Sequence, residues 1–314
     1  MKKQNSELKI DFEKDLKLEI KRVSSEMGIK ISFKNDLHQI LLDYLTVRLK
    51  IIDIKMRKIK FNPDFFIQLN KHPKRKEIQK ISQLASVGEN LNIFQSRKLL
   101  QSRFHDHLSS EWNIYHFHLS LKIEKSGFVK QGNQLLFAYI DDNQVIFLGT
   151  DTHKDGIFGD TKWIEILHDH FPKVIEKYKD DTILNIHPKV NSVERQMLWN
   201  KGLSLGMTKI RDTIYHNPGI GRMTSGHSMD VSRTAMDVLR WIRKLKLQLE
   251  ESSKEICEFI KVPISQAKFN IRFSEKLELY EKSKGIKLLN FPDILIEKEE
   301  IIKRQNTGYN NGYT

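Results

Sequence analysis

The chain has 314 residues, of which 39% are hydrophobic and 30% charged, the composition of a folded globular protein long enough for roughly two domains of about 150 residues. Its one cysteine, Cys257, excludes an internal disulfide framework and a four-cysteine zinc site, and falls in a helical apolar pattern as a small buried hydrophobe. The formal net charge of +13 favours a polyanion through Coulomb attraction and counterion release, so nucleic acid is the expected partner, RNA before DNA.

Residues 1–21 are charged throughout and hold no signal-peptide apolar core. No run approaches the roughly 20 apolar residues of a membrane-spanning helix. A cytoplasmic location and no membrane partner are therefore expected. Residues 1–30 alternate charge with single aliphatics and fit a strand pair or a helix equally. From Asn35 the spacing of Leu37, Ile40, Leu41, Tyr44, Leu45, Leu49 and Ile52 predicts a helix, capped by Asn35 or Asp36. The run Arg48, Lys50, Lys55, Arg57, Lys58, Lys60 reads as a basic helix end, and Asn62-Pro63 as a stop. A second helix follows Pro73 and ends before Gly88.

The pattern then changes to period two. Ile114–Ile123, Leu135–Ile140 and Val145–Gly149 are predicted strands, the last two joined by the turn Asp141-Asp142-Asn143. Thr161–His170 reads as a helix, Thr182–Ile186 as a strand, and Asn191–Lys201 as a helix closed by Gly202. Ile214–Ser228 is a turn-rich hairpin or loop, and Asp230 or Ser232 caps a long helix striped with Val238, Ile242, Leu245 and Leu249. The expected fold class is α+β. A helical region spans residues 1–100, an antiparallel β/α region 101–180, a C-terminal α/β region 181–304 and a disordered tail 305–314.

Seven histidines lie between residues 105 and 170: His105, His107, His116, His118, His153, His168 and His170. Strand alternation puts His116 and His118 on one face, about 7 Å apart, with Tyr115 and Phe117 turned to the core. That face is expected to open on a cleft that collects positive charge. His153 and Lys154 follow the third strand, and Arg103 precedes the first. Phosphodiester cleavage by an internal 2′-hydroxyl needs such groups: a base, an acid and a cation for the charged transition state. The candidate catalytic residues are therefore His116 and His118, as base and acid, with His153 and Arg103 holding phosphate. Lys154, Lys162, Arg57, Lys58 and Lys60 are candidate phosphate contacts.

The segment Leu136-Phe137-Ala138-Tyr139-Ile140-Asp141-Asp142-Asn143-Gln144-Val145-Ile146-Phe147-Leu148, followed by His153 and a helix, resembles the strand–turn–strand core of RelE-type ribonuclease toxins. Those toxins are shorter than this chain. The resemblance implies metal-independent RNA cleavage, a toxin or phage-defence role and an antitoxin-like protein partner.

Two other readings stand beside this one. The first is a nucleic-acid-binding protein without catalysis. The second is a metal-dependent hydrolase or nuclease, in which His116 and His118 join His153 and Asp151 or Asp155. No HExxH motif occurs, and Gly219-Ile220-Gly221 lacks the strand, loop and helix of a nucleotide site, so no cofactor is expected.

Overall fold

The computed structural model describes residues 8, 10–104, 106–219, 221, 223, 226–273 and 277–290. Its elements in chain order are α1 (Phe12–Met27), α2 (Leu37–Arg48), β1 (Lys58–Phe61), α3 (Pro63–Leu69), α4 (Arg75–Val87), α5 (His107–Trp112), β2 (Ile114–His118), β3 (Gln134–Ile140), β4 (Gln144–Thr152), α6 (Lys162–His170), α7 (Pro172–Ile175), β5 (Lys179–Asp180), α8 (Ser192–Asn200), β6 (Met207–Ile210), β7 (Thr213–His216), α9 (Met229–Glu251), α10 (Ser253–Phe259), β8 (Phe269–Phe273), β9 (Leu277–Glu281) and β10 (Ile286–Asn290). The class is α+β, with helices beside small sheets. Among the described residues no helix is long and apolar enough to cross a membrane.

The chain forms two compact units. One takes the described residues up to Arg48 together with those from Asp230 onward; the other runs from Leu49 to Met229. The divisions expected near residues 100 and 180 both fall inside the second unit. Strand pairing explains this, because β1 pairs with β4 and β5 with β7.

In the first unit, α1 buries Phe12, Leu16, Ile20 and Ser24, a stripe at four-residue spacing. Asp11 caps its start, and Gly28 ends it at a φ of 68°. Residues 12–27 are thus helical, where the sequence alone left strand or helix open. The long helix α9 buries Val231, Ala235, Val238, Ile242, Leu245 and Leu249 along one stripe. Strands β8, β9 and β10 form an antiparallel sheet. The tail 305–314 lies outside the described residues.

The second unit is built on a four-stranded sheet of order β1-β4-β3-β2, with β1 parallel to β4 and the other pairs antiparallel. One face carries Tyr115, Phe117, Leu136, Ala138, Val145 and Phe147, and packs against Phe65 and Leu69 of α3 and Ile78, Ile81 and Ala85 of α4. Gly88 ends α4 at a φ of 76°, where a Cβ would lie 2.8 Å from the Met56 backbone nitrogen. A three-stranded sheet, β5-β7-β6, completes the unit.

Several elements differ from expectation. Lys58–Phe61 is a strand rather than a basic helix end: Ile59 and Phe61 pack on the core while Lys58 and Lys60 face out, a period of two. The strand from Ile114 stops at His118, where the Ser120 N–H turns back to the His118 carbonyl. No strand covers 182–186. Asp180 Oδ1 accepts from the Thr182 and Ile183 N–H groups and folds the chain into a turn there. The hairpin expected within 214–228 comes earlier, as β6 and β7.

Candidate functional site

Directly opposed residues of a sheet share a face. His116 is opposite Phe137, which is opposite Gly149; His118 is opposite Leu135, which is opposite Asp151. These six residues therefore share the face turned away from the α3/α4 core. A β-bulge makes this so. Leu148 is the extra residue, because Ala138 pairs with Phe147 while Phe137 pairs with Gly149. Val145 and Phe147 belong to the core face. Unbroken alternation would put Asp151 there as well; the extra residue reverses it. Asn62, which caps α3, donates its Nδ2–H to the Leu148 carbonyl at 3.0 Å and satisfies the bulge.

Three imidazoles meet on this face. The ring centroids of His116 and His118 are 6.1 Å apart, and those of His118 and His153 are 5.6 Å apart. Phe158, from the 3₁₀ turn Ile157–Gly159, lies 4.9 Å from His116 and 5.7 Å from His153. Trp163 of α6 stacks on Phe137 at 4.0 Å, so it is a packing residue. The two strand histidines are on one side, as their spacing predicts. They do not line an open cleft: their exposures are 5% and 3%, and His153 is the exposed member.

Behind His116 stands Asp106, which the sequence reading missed. Asp106 Oδ1 accepts from the Ser109 N–H and caps α5. Its Oδ2 lies 3.1 Å from His116 Nδ1, with both side chains buried. The two atoms are in contact but not aligned as a formed hydrogen bond. Burial opposes the charge on Asp106, but His116, the Ser109 N–H and His107 outweigh it and hold the carboxyl below its usual range. His118 lies 3.2 Å by Nδ1 from the Gly132 carbonyl, a contact in which the ring donates. Burial and then His116 push the His118 imidazole down to about 4, against the pull of that carbonyl. The partial burial of the His153 ring against His118 and Phe158, with His116 nearby, lowers its pKa too.

Beside the rings, Asp151 gathers two lysines. Lys154 Nζ is 3.0 Å away, and Lys162 Nζ makes a shorter contact with the same oxygen. Burial works against its ionisation, yet the two ammonium groups and the Thr152 N–H hold Asp151 down to about 2. Two of the expected phosphate contacts thus sit beside His153. Lys58 and Lys60 are exposed on the same face but on β1, with β4 and β3 between them and His116 and His118. Arg57 is not a surface cation. It is buried and donates to the carbonyls of Asp141, Asp53 and Lys55. Arg103 is exposed in the turn ahead of Asp106, not among the rings. The guanidinium whose charge reaches His118 is that of Arg97.

The other histidines go elsewhere. His107 stacks on Trp199 at 5.2 Å, and His168 Nδ1 is 2.7 Å from the Tyr215 hydroxyl. His170 lies 3.9 Å from Asp64, and His105 lies outside the described residues. The signal for Asp106 was its place as a helix cap ahead of Ser109, which sequence shows but which says nothing of His116. Among the described residues no three His, Cys, Asp or Glu side chains are placed to hold one metal ion. No protein-family model, curated protein or solved structure matches this chain.

Proposed function

We propose that this protein is a metal-independent endoribonuclease of toxin or defence type, working by histidine acid–base chemistry. The observation that carries the reading is the buried Asp106–His116 pair with two further imidazoles against it. A carboxylate behind an imidazole fixes its orientation and offsets the positive charge that builds on it. His118, with a pKa of about 4, is neutral near pH 7 and suits the base that takes the 2′-hydroxyl proton. His116, backed by the Asp106 carboxylate, suits the acid that protonates the leaving oxygen. This reverses the roles expected from sequence. Lys154 and Lys162 supply positive charge for the phosphate, beside the exposed His153. Substrate approaches on the side of the exposed His153, where Phe158 packs between that ring and His116. The helical flanks are the expected seat of an antitoxin-like partner.

A second reading, a metal-dependent hydrolase, has one observation of its own. His118 turns Nδ1 to the Gly132 carbonyl, the kind of outer-shell contact that metal-binding imidazoles make. The test is cleavage of a labelled RNA by the full chain in EDTA. Undiminished cleavage that falls about a hundredfold or more in His116→Ala and His118→Ala is the expected result. Activity lost in EDTA and restored by zinc or manganese supports the second reading. RNA bound but never cleaved leaves a binding protein.

A further inference from the structure

A buried lysine lies behind the same site. Lys50 is 5% exposed, and its Nζ donates to the carbonyls of Gln101 and Phe104, each at 2.7 Å. Those carbonyls bound the turn that carries Arg103, closed by the Phe104 N–H to the Gln101 carbonyl at 3.1 Å. Two residues beyond Phe104 comes Asp106. The ammonium also lies 5.4 Å from the centre of the Phe104 ring. Burying a lysine is costly unless its charge meets acceptors, and here the acceptors are backbone groups of one short turn. Burial lowers the Lys50 ammonium to about 8, and the charge of Asp106 opposes the fall.

We propose that Lys50 is a positioning residue of the histidine site: it pins the turn 101–104 and so holds the Asp106 carboxylate against His116 Nδ1. The inference rests on the ribonuclease reading for its effect on cleavage, but its geometric core does not. The charged and titratable groups about this turn and the rings are Lys50, Arg97, Lys98, Asp106, His107, His116, His118 and His153. Removing Lys50 acts in two ways. Losing a nearby cation strengthens the pull of Asp106 on a proton at His116, whereas losing the tether moves Asp106 away. The proton on the neutral imidazole tells them apart, because an acceptor beside one ring nitrogen selects the tautomer.

The experiment is nitrogen NMR of histidine-labelled full-length protein near pH 7, where Lys50 keeps its charge, with RNA cleavage measured alongside. The result expected for the native chain is a His116 proton on Nδ1, facing Asp106. In Lys50→Met, as in Asp106→Ala, it shifts to Nε2, and cleavage falls about 10–100-fold. Lys50→Arg, which keeps cationic donors, restores both. A His116 proton that stays on Nδ1 in Lys50→Met, with cleavage unchanged, overturns the proposal; so does a native chain with its proton on Nε2. If Lys50→Met fails to fold, Lys50→Gln, which keeps one donor, is read in its place by the same criteria. A tautomer that follows Lys50 in a protein that never cleaves RNA leaves the positioning role standing and removes the ribonuclease.

Discussion

His118 combines near-complete burial, a neighbouring imidazole and one carbonyl acceptor, and these set its response to acid. Its folded-state pKa, about 4, lies below the unfolded value of about 6.5. Between those values the unfolded chain binds a proton that the folded chain refuses. Stability therefore falls as pH drops from about 6.5 to about 4, by on the order of 2–3 kcal/mol once residual solvent screening is allowed for. It then levels off with respect to this group. Denaturation midpoints across that range should show the slope. His118→Asn, whose amide can still donate to Gly132, should flatten it. If His118 is the base, the acid limb of kcat/KM in the native protein lies near pH 4; a limb near 6.5 removes it from that role.

At the scale of elements, the alternation of β2 was legible because its period is local: Tyr115 and Phe117 went to the core, His116 and His118 to the other side. Helix ends were legible for the same reason, as at Gly88 and Asn191. What could not be read was pairing at long range. β1 is four residues inside a basic run, and only its parallel contact with β4 makes it a strand. Asp106 and Lys50 likewise gain their meaning from partners on other elements. Arg57 shows how charge counting misleads. In the sequence it is one cation among several; in the fold it ties the approach to β1 to the β3–β4 turn through the carbonyls of Asp53, Lys55 and Asp141. Arg57→Met should lower stability by about 2–3 kcal/mol by stranding those carbonyls, and leave RNA affinity per folded molecule unchanged. Denaturant titration and a binding isotherm on the same sample would show it; a loss of affinity at full stability would return Arg57 to the phosphate-binding set.

For the whole molecule, the net charge of +13 predicts affinity for polyanions that weakens with salt, whatever the chemistry. The structure ranks the contributors. Lys154 and Lys162 lie beside the imidazoles, whereas Lys58 and Lys60 sit on β1, three strand spacings or about 14 Å across the sheet from β2, which carries His116 and His118. Lys154→Ala with Lys162→Ala should flatten the plot of log K against log salt by about 1–2 units for single-stranded RNA and depress cleavage with it. The same changes at Lys58 and Lys60 should flatten the plot and spare cleavage. Equal losses from both pairs would mean that the sheet face binds RNA without a privileged centre.

The bulge at Leu148 makes the side on which Asp151 emerges a matter of odd and even numbers. One residue removed between Phe147 and Asp151 turns the aspartate into the apolar core and strips the two lysines of their common counter-charge. Two residues removed return it to the histidine side one step nearer the hairpin. Natural length variation in this strand should therefore come in pairs, and a relative whose strand differs by a single residue should also have lost the lysines that Asp151 gathers.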